Sequence, residues 1–177
     1  MTPSIDSKVA AGLRACNSAG SNSAQRGAAL ERLAQDLFGS IPGVTLTLRN
    51  NKDAFATQEI DVAAWNQGYP AGLAGFPQIF LIECKNWLSP VGSMEIAWFD
   101  TKLRLKGCSF GVLLALEGIT GKQHSLTAAY SILAAALREQ RDIIVITKTD
   151  LEALGSVAEL VSLIQHKMLI NRVSKPF

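Results

Sequence analysis

Two charged side chains end an otherwise apolar stretch of the sequence, which runs from Gln78 to Trp87. Side chains alternate between the two faces of a strand, so Glu83 and Lys85 share one face, with Cα atoms about 7 Å apart. Charged groups are rarely buried without a partner or a metal, because removing them from water is costly. Two interpretations are open: a salt bridge at the rim of a sheet, and a catalytic site at a strand end.

A third charged residue, Asp61, interrupts the preceding predicted strand, Thr57 to Trp65. If the two strands are antiparallel neighbours, the carboxylates of Asp61 and Glu83 converge at one end of the sheet. Such an oxygen-rich site suits Mg²⁺, which lowers the pKa of a bound water and stabilises charge on a phosphoryl oxygen. Lys85, with a pKa lowered by burial and the metal, would hold or deprotonate that water. The alternative is that Asp61 is a turn or edge aspartate.

Glu31 lies at the edge of the apolar stripe of a predicted helix, Ser23 to Phe38. Its neighbours on that side of the helix, Gly27, Ala34 and Phe38, are small or apolar. A carboxylate in this position either reaches solvent or points along the sheet toward a metal, and both interpretations are open.

The elements that would position these residues follow from hydrophobic periodicity and from turn and capping signals. Helices are predicted at Ser4 to Cys16, Ser23 to Phe38, Ser93 to Lys106 and Ser125 to Glu139, and strands at Val44 to Arg49, Thr57 to Trp65, Gln78 to Lys85, Ser109 to Leu116 and Asp142 to Thr147. Two capping boxes, Thr149 with Glu152 and Ser156 with Glu159, predict two final helices. An antiparallel beginning followed by β-α-β units predicts a mixed α/β sheet with helices on both faces.

In the predicted helix from Ser93 to Lys106, one face comprises Met94, Ala97, Trp98, Thr101 and Leu105. Three basic residues lie off that face: Lys102, Arg104 and Lys106. Two interpretations are open for them. They contact phosphates of a nucleic acid, or they solvate the end of the helix and complement its dipole.

Composition sets limits on the class of protein. The chain has 177 residues, of which 48% are hydrophobic, so one globular domain with a sizeable core is expected over residues 1–177. The net charge of +2 is too small to indicate nucleic acid by itself, so any basic surface must be local. Three cysteines without metal-site spacing are expected to be free thiols in a reducing compartment. With no signal-peptide pattern and no long apolar stretch, we expect a cytoplasmic protein without a membrane span.

The combination of Glu31, Glu59-Ile-Asp61 and Ile82-Glu83-Cys-Lys85 resembles the PD-(D/E)xK nuclease superfamily, and within it the Mrr-like branch of restriction endonucleases. The resemblance covers about residues 24–116 and implies a restriction-endonuclease-like αβββαβ core. The helix-strand-helix that follows, about residues 122–170, is similar to the C-terminal extension of that branch. The chain departs from the family pattern at two positions, with Ile60 in place of proline and Gln58 in place of a frequent glycine.

The resemblance implies a metal-dependent endonuclease that hydrolyses phosphodiester bonds, in DNA above all, with Mg²⁺ or Mn²⁺. It assigns metal binding to Asp61, Glu83 and the backbone carbonyl of Cys84, with Glu31 assisting. It assigns the attacking water to Lys85. Because the superfamily also contains RNA-acting toxins and inactive relatives, two alternatives stay open: an RNA-cleaving toxin, and a catalytically inactive binding or assembly module.

No DNA-reading motif is recognisable in the sequence. Recognition of DNA shape, ends or modification, or targeting by a partner protein, is therefore expected rather than sequence-specific cutting. A homodimer that addresses two strands is implied by analogy alone. The residues predicted to follow the nucleic acid backbone are Arg49, Lys52, Asn86, Lys102, Arg104 and Lys106.

Overall fold

The structure is a computed structural model that describes residues 4–18, 22–52, 59–122 and 127–173. The side chains of residues 47–52 and 59 lie outside this description, although the backbone there is included. Two predicted boundaries also lie outside the described residues, namely the strand start at Thr57 and the helix start at Ser125.

Within the described residues, one sheet of five strands forms the centre of the fold. In chain order, which is also their order in the sheet, the strands are β1 Val44–Lys52, β2 Glu59–Asn66, β3 Ile79–Lys85, β4 Phe110–Ala115 and β5 Asp142–Ile146. Strand β2 is antiparallel to both β1 and β3, whereas β4 is parallel to both β3 and β5. The predicted mixed sheet is therefore confirmed.

Helices cover both faces of this sheet. They are α1 Ile5–Ser18, α2 Ser23–Phe38, α3 Ser93–Leu105, α4 Ala129–Arg138, α5 Lys148–Glu152 and α6 Val157–Val173. Apolar side chains of α1, α2, α5 and α6 share one buried cluster with the sheet, and those of α3 and α4 share the other. Helix α2 has its predicted bounds because Asn22 caps it, accepting the Ala24 N–H at 2.9 Å, and Gly39 follows it.

Strand β3 turns its two faces toward different cores, as its alternation predicts. Phe80, Ile82 and Cys84 pack in the cluster with α1 and α2. Leu81 packs in the cluster with α3 and α4. Glu83 belongs to the same face as Leu81, so its carboxylate lies on the α3 side of the sheet.

The buried face of α3 is not the one that Met94 and Trp98 define. Met94 and Trp98 are 80% and 52% exposed, while Ile96, Phe99 and Leu103 are buried. The buried residues have the same helical spacing, so periodicity alone favours neither face. Packing against β4 decides, because a Cβ at Gly111 would lie 2.8 Å from both Phe99 and Leu103. Glycine at this position lets α3 approach the sheet closely.

The last two helices begin at capping boxes, one of which differs from the prediction. Helix α5 is capped by Thr147, whose N–H donates to Asp150 Oδ2 at 2.7 Å and whose hydroxyl accepts the Asp150 N–H. The predicted box at Thr149 is therefore wrong by two residues, because the helix follows β5 directly. The predicted box of Ser156 and Glu159 is confirmed, with reciprocal bonds of 3.2 and 3.1 Å.

Candidate active site

Glu83 lies near the carboxyl end of β3 with its carboxylate buried between two lysines. Its exposed fraction is 4%. Lys85 Nζ lies 2.9 Å from Glu83 Oε1. Lys102 Nζ, which reaches over from α3, lies 3.0 Å from Oε1 and 2.7 Å from Oε2. Two ammonium groups thus neutralise this carboxylate and fix its orientation, which offsets the loss of its hydration.

Asp61 lies beside Glu83 because regular pairing of β2 with β3 ends just before both residues. The final pair on this side is Val62 with Ile82. Beyond it, the Cys84 N–H donates to Asp61 Oδ2 at 2.7 Å, so a side chain replaces the backbone partner. The N–H and C=O of one strand residue point to the same edge, so the Cys84 carbonyl also faces β2. Two carboxylates and a carbonyl therefore converge at this end of the sheet.

The Asp61 carboxyl has a pKa raised from 3.8 to about 7. Burial is the largest cause, and the negative charge of Glu83 adds to it. The Cys84 N–H and the two lysines act in the opposite direction without cancelling the effect. Near neutral pH, Asp61 is therefore balanced between its protonated and ionised forms. A nearby divalent cation would favour the ionised form, because opposite charge lowers the pKa of a carboxyl group.

Lys85 carries a positive charge in this arrangement. Burial lowers its pKa, but the charge and hydrogen bond of Glu83 and the charge of Asp61 outweigh burial, so the pKa is raised. The ammonium also lies 5.9 Å from the centre of the Trp87 ring, within cation–π range. The protein's own groups therefore raise the pKa of Lys85 and suit its ammonium to donating hydrogen bonds, and the lowering expected beside a metal stays a prediction.

Lys102 has a place in the site that the sequence prediction missed. It was expected on the outer side of its helix, yet it is 5% exposed and belongs to the buried face of α3. Phosphate contact and solvation of the helix end are both incompatible with this burial. A signal for it exists in the sequence, since Lys102 follows Phe99 by three positions and precedes Leu103. Its charge is tolerated inside because Glu83 lies opposite.

Glu31 reaches the same strand end from the other side of the sheet. Its side chain is half-buried on α2, which packs against β3. Burial raises the pKa of the Cys84 thiol, and the charges of three carboxylates raise it further: Asp61, Glu31 and Glu83. The negative charge of Glu31 therefore acts at the position next to Glu83. Its assistance to a metal stays a prediction.

The donor set at this strand end fits Mg²⁺. Among the described residues, no group of three or more His, Cys, Asp or Glu side chains has the arrangement of a metal site. Mg²⁺ is commonly held by only one or two carboxylates, with waters completing its octahedron. Asp61 and Glu83 supply two carboxylates, and the Cys84 carbonyl supplies a third protein oxygen.

Asn86 serves the fold rather than the surface predicted for it. Only 9% of the residue is exposed. Its side-chain amide donates to the carbonyls of Cys16, at 3.3 Å, and Arg26, at 3.0 Å. Asn86 thereby fastens the end of α1 and the beginning of α2 to the strand that carries Glu83. A phosphate contact would compete with these bonds, so Asn86 is removed from the predicted nucleic acid surface.

The remaining basic residues of that predicted surface fall into two pairs. Arg104 and Lys106 are exposed at the end of α3, about half a turn and one turn beyond Lys102. Arg49 and Lys52 belong to β1, but their side chains lie outside the described residues. Contact of all four with nucleic acid stays a prediction.

Comparison of the chain with models of known protein families found no match, and comparison with curated proteins found none either. In the part of the chain that the structure describes, every helix is too short or too polar to traverse a membrane. Function must therefore be inferred from the sheet and from the side chains gathered at the end of β3.

Proposed function

We propose that this chain is a Mg²⁺-dependent endonuclease of the PD-(D/E)xK type, with a restriction-endonuclease-like fold, and that it acts on DNA. One observation carries the proposal: Asp61 of β2 meets Glu83 and Lys85 of β3 where the two strands part. The order of elements adds support, since α2, β1, β2, β3, α3 and β4 follow the αβββαβ order that the resemblance implies.

When bound, Mg²⁺ or Mn²⁺ would supply charge to stabilise a phosphoryl oxygen and would lower the pKa of a coordinated water. Asp61, Glu83 and the Cys84 carbonyl would hold the ion, with Glu31 assisting from α2. Ionised Asp61 is needed for this, and its pKa of about 7 makes binding favourable above neutral pH.

Lys85 acts in this site as a cation. Its ammonium is anchored to Glu83 Oε1 at 2.9 Å and retains further N–H donors. One donor can orient the attacking water, and the charge can offset that of the phosphodiester as the transition state forms. Lys102 holds Glu83 from the other side, so the carboxylate keeps its orientation while Lys85 engages the substrate.

A panel of substrates tests the proposed function. Supercoiled plasmid, linear duplex, branched DNA, single-stranded DNA and RNA are incubated with the protein and Mg²⁺ or Mn²⁺, with EDTA as the matched control. Cleavage of at least one DNA that stops in EDTA is expected. Cleavage of RNA alone would favour the toxin alternative. Failure to cut any substrate, together with tight binding of nucleic acid or a protein, would favour the inactive module.

Replacing Lys85 with alanine is expected to reduce cleavage by about 10²–10⁴-fold, because the group that orients water and balances charge is lost. Metal affinity is not expected to weaken, since Lys85 supplies a positive charge and no ligand oxygen. Calorimetric titration with Mn²⁺ beside a cleavage assay separates the two effects. If Lys85→Ala cuts at the wild-type rate, the residue is only a structural partner of Glu83.

Replacing Arg104 and Lys106 with glutamine tests where the nucleic acid lies. If both contact phosphates, each charge removed is expected to lower the slope of log K against log salt by about 0.7–0.9. Filter binding across a salt series, with an Asp61→Asn background to prevent cleavage, measures this slope. Replacement of Arg14, an exposed position on α1, with glutamine is the matched control. An unchanged slope would exclude the end of α3 from the binding surface.

A further inference from the structure

Lys102 is a buried cation that the family resemblance does not require. It comes from α3 rather than from the strand motif, it is 5% exposed, and it contacts both oxygens of Glu83. Burying an ammonium group is costly unless a partner compensates it closely. Because this ammonium is buried against the proposed metal-binding carboxylate, it affects which ions that carboxylate can bind.

The side-chain charges at the strand end allow room for one divalent cation. Two carboxylates, Asp61 and Glu83, face two ammonium groups, Lys85 and Lys102, so these four side chains sum to zero when all are ionised. One divalent ion together with one phosphodiester brings the total to plus one, whereas a second divalent ion would bring it to plus three in a partly buried site.

Geometry points the same way. Paired ions in two-metal sites lie about 3.5–4 Å apart, so a second ion here would lie close to the Glu83 carboxylate. In this chain Lys102 Nζ lies 2.7 Å from Glu83 Oε2 and 3.0 Å from Oε1, positions from which it uses both oxygens of the carboxylate. An ion on that side of Glu83 would meet the ammonium directly and be repelled by it.

We propose that Lys102 stands in place of a second metal ion, so that the site binds a single divalent cation. This inference rests on the proposed metal-dependent function. Lys102 is thus a positioning residue: it fixes Glu83 for the one ion on the Asp61 side and supplies, from the α3 side, the positive charge that a second ion would bring.

Counting bound Mn²⁺ tests the proposal without relying on cleavage. Equilibrium titration followed by electron paramagnetic resonance is expected to give one ion per wild-type chain. Lys102→Met removes the ammonium at similar length, and is expected to admit a second ion or to bind one ion about tenfold or more tightly. Lys102→Arg keeps the charge and is expected to retain one ion. Lys102→Gln is the second neutral variant if the methionine variant does not fold.

The outcomes separate this inference from the proposed function. A wild-type chain that binds two ions overturns the role of Lys102 and leaves the proposed function intact. Neutral variants that bind one ion with unchanged or weaker affinity overturn it as well. A wild-type chain that binds no divalent ion, while its circular dichroism shows a folded protein, overturns the proposed function itself.

Discussion

Asp61→Asn is expected to abolish cleavage and, in EDTA, to make the protein more stable at pH 8. Asparagine keeps the oxygen that accepts the Cys84 N–H but removes a charge that burial and Glu83 both oppose. The lost carboxylate is a proposed metal ligand, so we expect a loss in cleavage of about 10³-fold or more. Gain of stability together with loss of activity is typical of a site whose groups are arranged for function.

The pH dependence of this effect has a definite sign. The carboxyl of Asp61 has a pKa of about 7 in the folded chain and an ordinary value of 3.8. The folded state therefore binds more protons than the unfolded state between these values, and stability falls as pH rises through this range. The stabilisation by Asp61→Asn should be larger at pH 8 than at pH 5, by about 2–3 kcal/mol.

Urea unfolding of wild type and variant at pH 5 and pH 8, both in EDTA, measures this difference. Asp36→Asn, at an exposed position of α2, is the control and is expected to change little at either pH. Adding Mn²⁺ at pH 8 should stabilise the wild type and not Asp61→Asn. A variant that is less stable than wild type at pH 8 would show that Asp61 is a structural partner of Cys84.

Glu83→Gln is expected to act in the opposite direction and to destabilise the protein by about 3–5 kcal/mol. In the wild type, both oxygens of Glu83 contact the Lys102 ammonium. The substitution leaves this buried ammonium without its counter-charge. Glu83→Gln combined with Lys102→Met removes the uncompensated ammonium, so the double variant should regain much of the lost stability. The two carboxylates of one site would thus have opposite effects on the fold.

A double-mutant cycle in urea provides the measurement. Glu152→Gln, in the exposed pair with Lys148 at 3.8 Å, is the matched control and is expected to cost less than about 1 kcal/mol. Equal stability of Glu83→Gln and wild type would contradict the account of the buried pair. So would a double variant no more stable than Glu83→Gln alone.

The residues of the strand ends could be predicted because strand alternation is a local rule. Glu83 and Lys85 interrupt one face of β3, whereas Phe80 and Ile82 continue the apolar face. The structure buries Phe80 and Ile82 as expected. Antiparallel pairing of β2 with β3 then brings Asp61 to the same end. Strand alternation, together with the antiparallel pairing of β2 with β3, was sufficient to predict that Asp61, Glu83 and Lys85 lie at one end of the sheet.

Lys102 and the inward face of α3 could not be chosen by such a rule. Two stripes of that helix have helical spacing, and the one with Met94 and Trp98 is as apolar as the one that is buried. The choice depends on Gly111 in β4, which admits Phe99, and on Glu83, which compensates a buried lysine. Both partners are distant in the sequence, so the helix considered alone shows only that Lys102 can share a face with Phe99 and Leu103, not that this face is the buried one.

Asn86, whose partners lie on the other side of the sheet, likewise could not be placed from the sequence around it. Its position directly after Lys85 suggests a surface role, since polar residues at strand ends are usually solvated. The structure uses its amide to bond the carbonyls of Cys16 and Arg26, which are 70 and 60 residues away in the chain. Long-range bonding to helix ends is set by how α1 and α2 pack, and the sequence around Asn86 does not encode that packing.

Cleavage of supercoiled plasmid by wild type, Asp61→Asn and Asp36→Asn in parallel, with Mg²⁺ at pH 8, tests the central claim most directly. The claim is that Asp61 and Glu83 hold a divalent ion for phosphodiester hydrolysis. We expect nicked and linear products with wild type and Asp36→Asn, none with Asp61→Asn, and none with any of them in EDTA. Cleavage by Asp61→Asn at the wild-type rate, or cleavage by wild type that persists in EDTA, would contradict the claim.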